Sequence, residues 1–313
     1  MVTGCAGFIG YHLCKKLLDK GFEVYGIDNL SRGLKERVDE LTDLGLKFYK
    51  GDVRDYNFIN DVVSRVDVIA HLAALISVEE SFREPILYND VNVNGTINLV
   101  LASIRNKVKT FIYASSAAVY GNPVYLPINE NHPLNPLSPY GVSKLAGEYY
   151  VKLLSERHGL RYVILRLFNV YGPGQVVNEY AGVIVKFIDR VSHNLPPVIY
   201  GDGGQTRDFV YAGDVVEAFI KAIELDVKGV FNIASGVEVS INELAKTVLK
   251  LFNREYLGVV YAPPRPGDIR FSVADISKAV RVLKWSPRTS LREGLLECIR
   301  YFMEKKGLSL SLS

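Results

Sequence analysis

Apolar and polar positions follow two rhythms over the first half of the chain, and the rhythm switches repeatedly. Residues 22–27, 46–49, 66–72, 110–114 and 162–167 are short runs, apolar on both faces and bounded by polar turns, the pattern of strands buried in a parallel sheet. Between them, residues 11–20, 56–63, 85–105 and 140–158 carry apolar side chains at helical spacing. Strand alternating with helix requires right-handed crossovers, and so predicts an α/β chain built on a Rossmann-type, doubly wound parallel sheet. Only Met1, Val2 and Thr3 precede the first glycine, which predicts either a frayed opening strand or a misassigned chain start.

After about Phe168 the rhythm loosens. Connections rich in Gly, Pro and Asn, at 169–180 and 263–268, separate helices near 181–191, 212–224, 241–252 and 291–305. Long connections in a compact protein usually carry function, which predicts a smaller, discontinuous C-terminal domain closing over the first. Residues 1–168 and 196–233 are assigned to the nucleotide-binding unit, and 169–195 and 234–313 to the substrate unit. The tail 307–313 is low in complexity and expected to fray.

Composition narrows the classes. With 48% hydrophobic and 23% charged residues, neither disorder nor a fibrous architecture is suggested. A net charge of +3 without a long basic run argues against nucleic acid as the principal partner and leaves anionic small molecules open. Cys5, Cys14 and Cys298 are far apart and odd in number, so neither a disulfide framework nor a metal site is expected. The chain enters a folded motif at once, with no signal-like segment and no apolar run long enough to span a bilayer; the expectation is a cytoplasmic protein without a membrane partner.

Thr3-Gly4-Cys5-Ala6-Gly7-Phe8-Ile9-Gly10 lies between a strand and a helix. Gly4 allows a sharp turn, Gly7 admits a pyrophosphate to the N–H groups at the helix start, and Gly10 permits close packing. The glycine pattern alone is weak evidence, and position supplies the rest. Asp28, at the end of the second strand, can accept both ribose hydroxyls and repel a 2′-phosphate, favouring NAD; Arg32 nearby keeps NADP open as the lesser reading. Asp52 and Val53 follow the third strand, where Asp52 can meet the adenine amino group, although a plain turn explains them as well. Leu72, Ala73 and Ala74 end the fourth strand with small residues where backbone would meet cofactor.

Ser115-Ser116-Ala117-Ala118-Val119-Tyr120-Gly121 ends the fifth strand, and Tyr140-Gly141-Val142-Ser143-Lys144 opens the next helix. Tyr140 and Lys144 are four apart and share a helix face. An exposed helical pair is the common explanation of that spacing; behind a nucleotide fold it acquires another. A neighbouring ammonium and an oxidised nicotinamide both stabilise a phenolate, giving a base that removes a hydroxyl proton while hydride leaves the same carbon. Ser116 is placed to hold the reacting oxygen. His71 reads as a packed, satisfied histidine.

These motifs resemble the extended short-chain dehydrogenase/reductase superfamily through nearly the whole chain. Asn92-Val93-Asn94-Gly95-Thr96, Arg166-Leu167-Phe168-Asn169-Val170-Tyr171-Gly172-Pro173, Tyr200-Gly201-Asp202-Gly203, Thr206-Arg207-Asp208-Phe209 and Arg265-Pro266-Gly267-Asp268 resemble its nucleotide-sugar branch, and Asp28-Asn29-Leu30-Ser31-Arg32-Gly33 is similar to the UDP-galactose 4-epimerases. The resemblance implies Ser116, Tyr140 and Lys144 as the catalytic trio. It also implies NAD held by the residues above with Asn29, Ser31, Gly33 and Phe168, and a UDP-hexose held by Asn169, Tyr200, Arg207, Arg265 and Asp268. Two arginines from different segments can clamp a diphosphate with forked, charge-assisted hydrogen bonds, although each can equally pair with a surface carboxylate. Ser272, four past Asp268, corresponds to a position that gates the sugar pocket; its small side chain leaves room for an N-acetyl group. Ser116-Ala117-Ala118 departs from the Thr-Asp-Glu of family dehydratases, which removes the acid and base for loss of water, and Cys5 stands where glycine is usual. The implied activity is NAD-dependent 4-epimerisation of UDP-glucose and UDP-galactose through a 4-keto sugar, by a homodimer joined through 85–105 and 140–158. Another NDP-sugar epimerase, decarboxylase or oxidoreductase is the alternative, and a non-catalytic nucleotide-binding protein the more distant one.

Overall fold

The structure is a computed structural model that describes residues 1–176, 181–264, 267 and 269–307. Among the described residues, seven parallel strands form the main sheet: β1 (Val2–Thr3), β2 (Tyr25–Asp28), β3 (Lys47–Lys50), β4 (Val68–His71), β5 (Thr110–Ser116), β6 (Arg161–Leu167) and, after three strands that lie elsewhere, β10 (Gly229–Ile233). Their spatial order is β10-β6-β5-β4-β1-β2-β3. Connections run outward in both directions from β1 and β4, so the direction of winding reverses between them, and doubly wound sheets open their binding crevice beyond the C-terminal ends of such a pair. Far from being frayed, β1 is an interior strand: Val2 and Thr3 pair with Gly26 and Ile27 on one side and with Ala70 and His71 on the other.

Helices cover both faces, as buried parallel strands require. On one face α1 (Phe8–Asp19) packs beside α9 (Ala212–Glu224), joining Leu13, Leu17, Val215 and Phe219 to a core that runs through Ile112 and Leu165. On the other, α3 (Tyr56–Val63), α6 (Gly95–Arg105) and α7 (Pro139–His158) bury Ile59, Leu99 and Val151 against Ile69 and Phe111. Residues 35–43, which the apolar pattern does not mark, form α2 (Lys35–Asp43), whose buried side chains are Arg37, Val38 and Leu41; so small an apolar face gives little periodic signal.

The segment 85–105 reads in sequence as one helix and is divided in the structure. After α4 (Val78–Arg83) and α5 (Pro85–Asn89), residues Asp90–Asn94 form a π turn before α6 begins. Asn92, fully buried in that turn, accepts from Leu75 N at 2.8 Å and donates to Leu75 O and Ser143 Oγ, each at 2.9 Å. A widened turn is a common local device near functional sites; here it ties the strand-end loop to α7.

A second core lies apart from the main sheet. It joins α8 (Val183–Ser192), α10 (Ile241–Leu251) and α12 (Leu291–Lys305) through Phe187, Ile188, Leu244, Val248, Leu295 and Ile299. Beside it, β7 (Asn169–Tyr171), β9 (Thr206–Tyr211) and β11 (Glu238–Ser240) form a three-stranded sheet, and β8 (Val198–Tyr200) pairs with β12 (Val260–Ala262). Asp208 joins these pieces, its fully buried carboxylate accepting from Ser235 N and Oγ, Gly236 N and Ala274 N at 2.6–3.1 Å. No described helix is long and apolar enough to cross a membrane.

Candidate active site

The crevice at the ends of β1 and β4 is shaped by the absence of side chains. Gly4 has φ +71°, and a Cβ there would lie 2.8 Å from Ala73 N; a Cβ on Gly10 would lie 2.0 Å from Gly4 O. These contacts draw the start of α1 onto the turn. Gly7 is the N-cap and supplies no side-chain bond, so the first N–H groups of α1, from Phe8 and Ile9 onward, are open to an anion at the positive end of the helix dipole. Beneath the turn Thr3 Oγ1 accepts from Leu72 N and Ala73 N, both at 3.2 Å, and lies 2.7 Å from His71 Nδ1. The hydroxyl proton must then go to Nδ1, which assigns His71 as the neutral Nε2–H tautomer donating to Thr96 Oγ1 at 2.9 Å. Burial holds that ring down to about pKa 3, and the Lys144 charge acts in the same direction.

At the end of β2, Asp28 accepts from Ala6 N at 3.1 Å and Leu30 N at 2.8 Å. Burial raises its pKa while those N–H groups oppose the rise. Gly33 closes the loop against it, since a Cβ would lie 2.5 Å from Ala6 Cβ and 2.9 Å from Asp28 Oδ1. Within the loop Asn29 accepts from Ser31 N. Arg32, which could receive a 2′-phosphate, pairs with Glu80 instead. Asp52 is more committed than its sequence position suggests: Arg54 takes both carboxylate oxygens and Asn29 donates to one at 2.8 Å, which holds its pKa well below the usual carboxylate range. Val53 is buried against Gly95, and Ala74 follows Ala73 half-buried at the end of the β4 loop. A glycine-lined turn facing a helix N-terminus, with a carboxylate on the neighbouring strand, fits the pyrophosphate and ribose of a dinucleotide.

The reacting side chains meet at the end of β5. Ser116 Oγ accepts from Ala118 N at 3.1 Å. Helix α7 starts with Ser138 capping Gly141 N and with Pro139 at its first position, where a missing N–H costs nothing. Tyr140 is 9% exposed and packs with Leu75 and Tyr88. One turn on, Lys144 is 4% exposed, donates to Ala114 O at 2.8 Å and lies 4.9 Å above the Tyr113 ring. Burial raises the Tyr140 phenol and hydrogen bonding from Ser116 lowers it. Burial brings the Lys144 ammonium down to about 7, opposed by Glu148.

The predicted substrate residues are spread over the smaller sheets. Asn169 Nδ2 donates to Asp208 O at 3.1 Å, and Arg207 Nη1 donates to Thr206 O and Ile269 O at 2.7 and 2.6 Å, so part of that guanidinium is engaged by backbone. Tyr200 is 39% exposed and Ser272 is buried, with its N–H 3.4 Å from Thr206 Oγ1. Arg265 and Asp268 lie outside the described residues. Phe168 is buried beside Tyr120. Next to Tyr200, residues Gly201, Asp202, Tyr261, Ala262, Pro264 and Arg270 line an open groove of about 720 Å³. Among the described residues no cluster of His, Cys, Asp or Glu could hold a metal ion.

Sequence reasoning missed the buried polar network under this site. Glu148 accepts from Ser115 and from Arg166 Nε and Nη2 at 2.9 and 2.7 Å, while Arg166 Nη1 donates to Tyr120 at 2.9 Å. Removing one member of such a buried ion pair typically costs ~3–5 kcal/mol, because the other charge is left without a partner. The one signal in the sequence was spacing: Glu148 lies one helical turn beyond Lys144.

Residues 1–298 match the GDP-mannose 4,6 dehydratase family model. The UDP-glucose 4-epimerase of Mycolicibacterium smegmatis is 37% identical over 316 residues, covering 97% of this chain and 98% of that protein. The human dTDP-D-glucose 4,6-dehydratase is 34% identical over 319 residues, covering 97% and 89%. Among solved structures, the UDP-glucose 4-epimerase of Thermotoga maritima with UDP-glucose superposes with a TM-score of 0.93 at 38% identity, covering 97% of this chain and 98% of that one. A UDP-N-acetylglucosamine 4-epimerase of Methanobrevibacter ruminantium, bound to UDP-N-acetylmuramic acid, gives 0.93 at 38%, covering 97% of each. The Thermus thermophilus UDP-glucose 4-epimerase with NAD gives 0.87 at 36%, covering 96% and 97%. The chain belongs to the GDP-mannose 4,6 dehydratase family, in the NAD-dependent nucleotide-sugar branch of the extended short-chain dehydrogenase/reductases.

Proposed function

From that membership we propose that the chain inverts the C4 centre of UDP-hexoses, interconverting UDP-glucose and UDP-galactose while retaining its cofactor. The observation that carries the reading is the meeting of Ser116, Tyr140 and Lys144 at the end of β5, with Ala117 and Ala118 beside them. Methyl groups at those two positions offer no acid or base for expelling water from the sugar ring, which favours inversion over the dehydration named for the human relative.

Gly4, Gly7 and Gly10, with Phe8 and Ile9 at the start of α1, are assigned to the pyrophosphate of NAD, and Asp28 to the adenosine ribose. Asn29, Ser31 and Gly33 shape that loop, Asp52 and Val53 border the adenine end, and Leu72, Ala73, Ala74 and Phe168 border the nicotinamide end. The chemistry NAD supplies when bound is removal of hydride from C4 and its return to the opposite face of the ring. Tyr140 takes the C4 hydroxyl proton and later gives it back, so a 4-keto sugar separates the two half-reactions. Ser116 holds the reacting oxygen and Lys144 supplies positive charge near the phenolate. Arg207 and Arg265 hold the diphosphate, Asn169, Tyr200 and Asp268 the remainder of the substrate, and Ser272 borders the sugar. Anchoring through the diphosphate leaves the sugar free to turn over between half-reactions.

The small, buried Ser272 supports a second substrate class, UDP-N-acetylhexosamines, as does the M. ruminantium neighbour. The test is incubation with UDP-glucose, UDP-galactose, UDP-N-acetylglucosamine and UDP-glucuronic acid, following C4 inversion by NMR. Inversion of UDP-glucose without added cofactor is expected, together with some turnover of the acetylated sugar. Absence of inversion, or consumption of one NAD per turnover, defeats the main reading; complete rejection of UDP-N-acetylglucosamine defeats only the second.

A homodimer belongs to the same proposal. Val142, Tyr149, Tyr150 and Leu153 expose apolar surface along α7, and Phe82 and Ile86, 60% and 84% exposed, do so on the adjoining α4 and α5. A contiguous apolar face on packed helices is the kind of surface two copies cover together.

A further inference from the structure

Two side chains on successive turns of α7 reach consecutive residues of β5. Lys144 Nζ donates to Ala114 O at 2.8 Å, and Glu148 accepts from Ser115 Oγ; the next residue is Ser116. Behind the carboxylate stands Arg166 of β6, itself fixed by Tyr120 and by Glu130 O at 3.2 Å, and Tyr120 donates to Asn232 at 2.6 Å. Glu148, Arg166, Tyr120 and Asn232 are all buried. A carboxylate and a guanidinium enclosed this way carry a desolvation penalty that apolar side chains of similar volume would avoid. They lie directly behind the end of β5, which carries Ser116.

We propose that Glu148 is a positioning residue. Its carboxylate, held by Arg166, clamps the end of β5 through Ser115 and sets a negative charge one turn beyond Lys144, so that Ser116, Tyr140 and the Lys144 ammonium keep one arrangement. The titratable and charged groups around Lys144 are Tyr140 and Glu148 from α7, Tyr113 from β5 and His71 from β4. Glu148 is the anion among them that opposes the loss of the Lys144 proton, and Arg166, left without it, would add positive charge and promote that loss.

The inference rests on the C4-inversion reading, and the tests separate the two. In Glu148→Gln the shape and the Ser115 acceptor are retained while the charge is lost. The expected result is a kcat lower by ~10-fold or more with KM within about 2-fold, the split that loss of transition-state interactions produces. The alkaline limb of the kcat profile should also move to lower pH by roughly one unit as Lys144 loses its proton sooner. Glu148→Gln/Arg166→Gln removes the orphaned charge as well, and should regain thermal stability and part of the shift in the profile without regaining rate. Ser115→Ala cuts only the clamp; it should lower kcat and leave the alkaline limb in place. A wild-type profile in Glu148→Gln, full recovery in the double variant, or an unchanged kcat in Ser115→Ala overturns the proposal.

Should the wild type fail to invert any NDP-hexose, melting temperature against pH decides independently of activity. Lys144 has a folded-state pKa below its ordinary 10.5, so its stability contribution falls as pH drops from there to about 7. Glu148→Gln should extend that fall to lower pH, and the extension should vanish on a Lys144→Met background. An extension that persists without Lys144 refutes the electrostatic half of the proposal.

Discussion

At Tyr140 burial and hydrogen bonding act in opposite directions on one phenol, and the proposed reaction needs its anion. Tyr140→Phe removes only the hydroxyl, so kcat is expected to fall by ~10²–10⁴-fold with little change in KM or in the melting temperature. Steady-state kinetics beside a thermal melt checks this; retention of full rate would remove Tyr140 from the chemistry. His71 makes the opposite case, a titratable residue with a structural part. Its ring is bonded on both nitrogens and held at about pKa 3, below the 6.5 of an unfolded chain. The unfolded state therefore takes up the proton first, and the stability His71 contributes is complete above pH 6.5 and lost as pH falls toward 3. Denaturant titrations of His71→Gln should show lower stability at neutral pH and a flatter acid arm than the wild type. Both roles had a trace in the sequence, a Tyr four before a Lys and a histidine ending a buried strand. The pairing of His71 with Thr3 and Thr96 had none, since those residues lie 68 and 25 positions away.

At the scale of elements, the turn between β1 and α1 depends on the absence of side chains at particular points. Gly10→Ala drives a Cβ toward Gly4 O, and the backbone on both sides must shift. A loss of about 1–3 kcal/mol is expected from such overpacking, with NAD affinity reduced further because the α1 N–H groups move away from the crevice. Calorimetric titration with NAD beside chemical denaturation separates the two effects; an unchanged affinity would place the pyrophosphate elsewhere. The strands and the larger helices were visible in the sequence because burial on two faces or one leaves a period in the apolar residues. The π turn at Asp90–Asn94 was not, and its Asn92 bonds to Leu75 and Ser143, partners no local period encodes. Helix α2 escaped for the simpler reason that it buries little apolar surface.

For the whole molecule, the exposed apolar face of α5 and α7 carries the remaining prediction. Leu153→Glu, with Tyr149→Asp as a second variant, should convert a dimer to monomer in analytical ultracentrifugation while the monomer keeps its near-ultraviolet circular dichroism. A wild-type monomer at micromolar concentration would reject the proposed interface. The assignment of 196–233 to the nucleotide-binding unit meets a chain that divides its pairing: β10 joins the large sheet, whereas β8 and β9 join the smaller ones. By itself, the sequence determined the parallel sheet, the glycine turn with Asp28, and the Tyr140 and Lys144 pair, because each is written in residue types at short, fixed spacing. Only the tertiary structure decided that Arg54 and Asn29 engage Asp52, and that Glu148, Arg166 and Ser115 form one buried network. Those outcomes depend on which distant backbones the fold brings together and on which polar groups burial forces to find a partner, and neither is a property of local order along the chain.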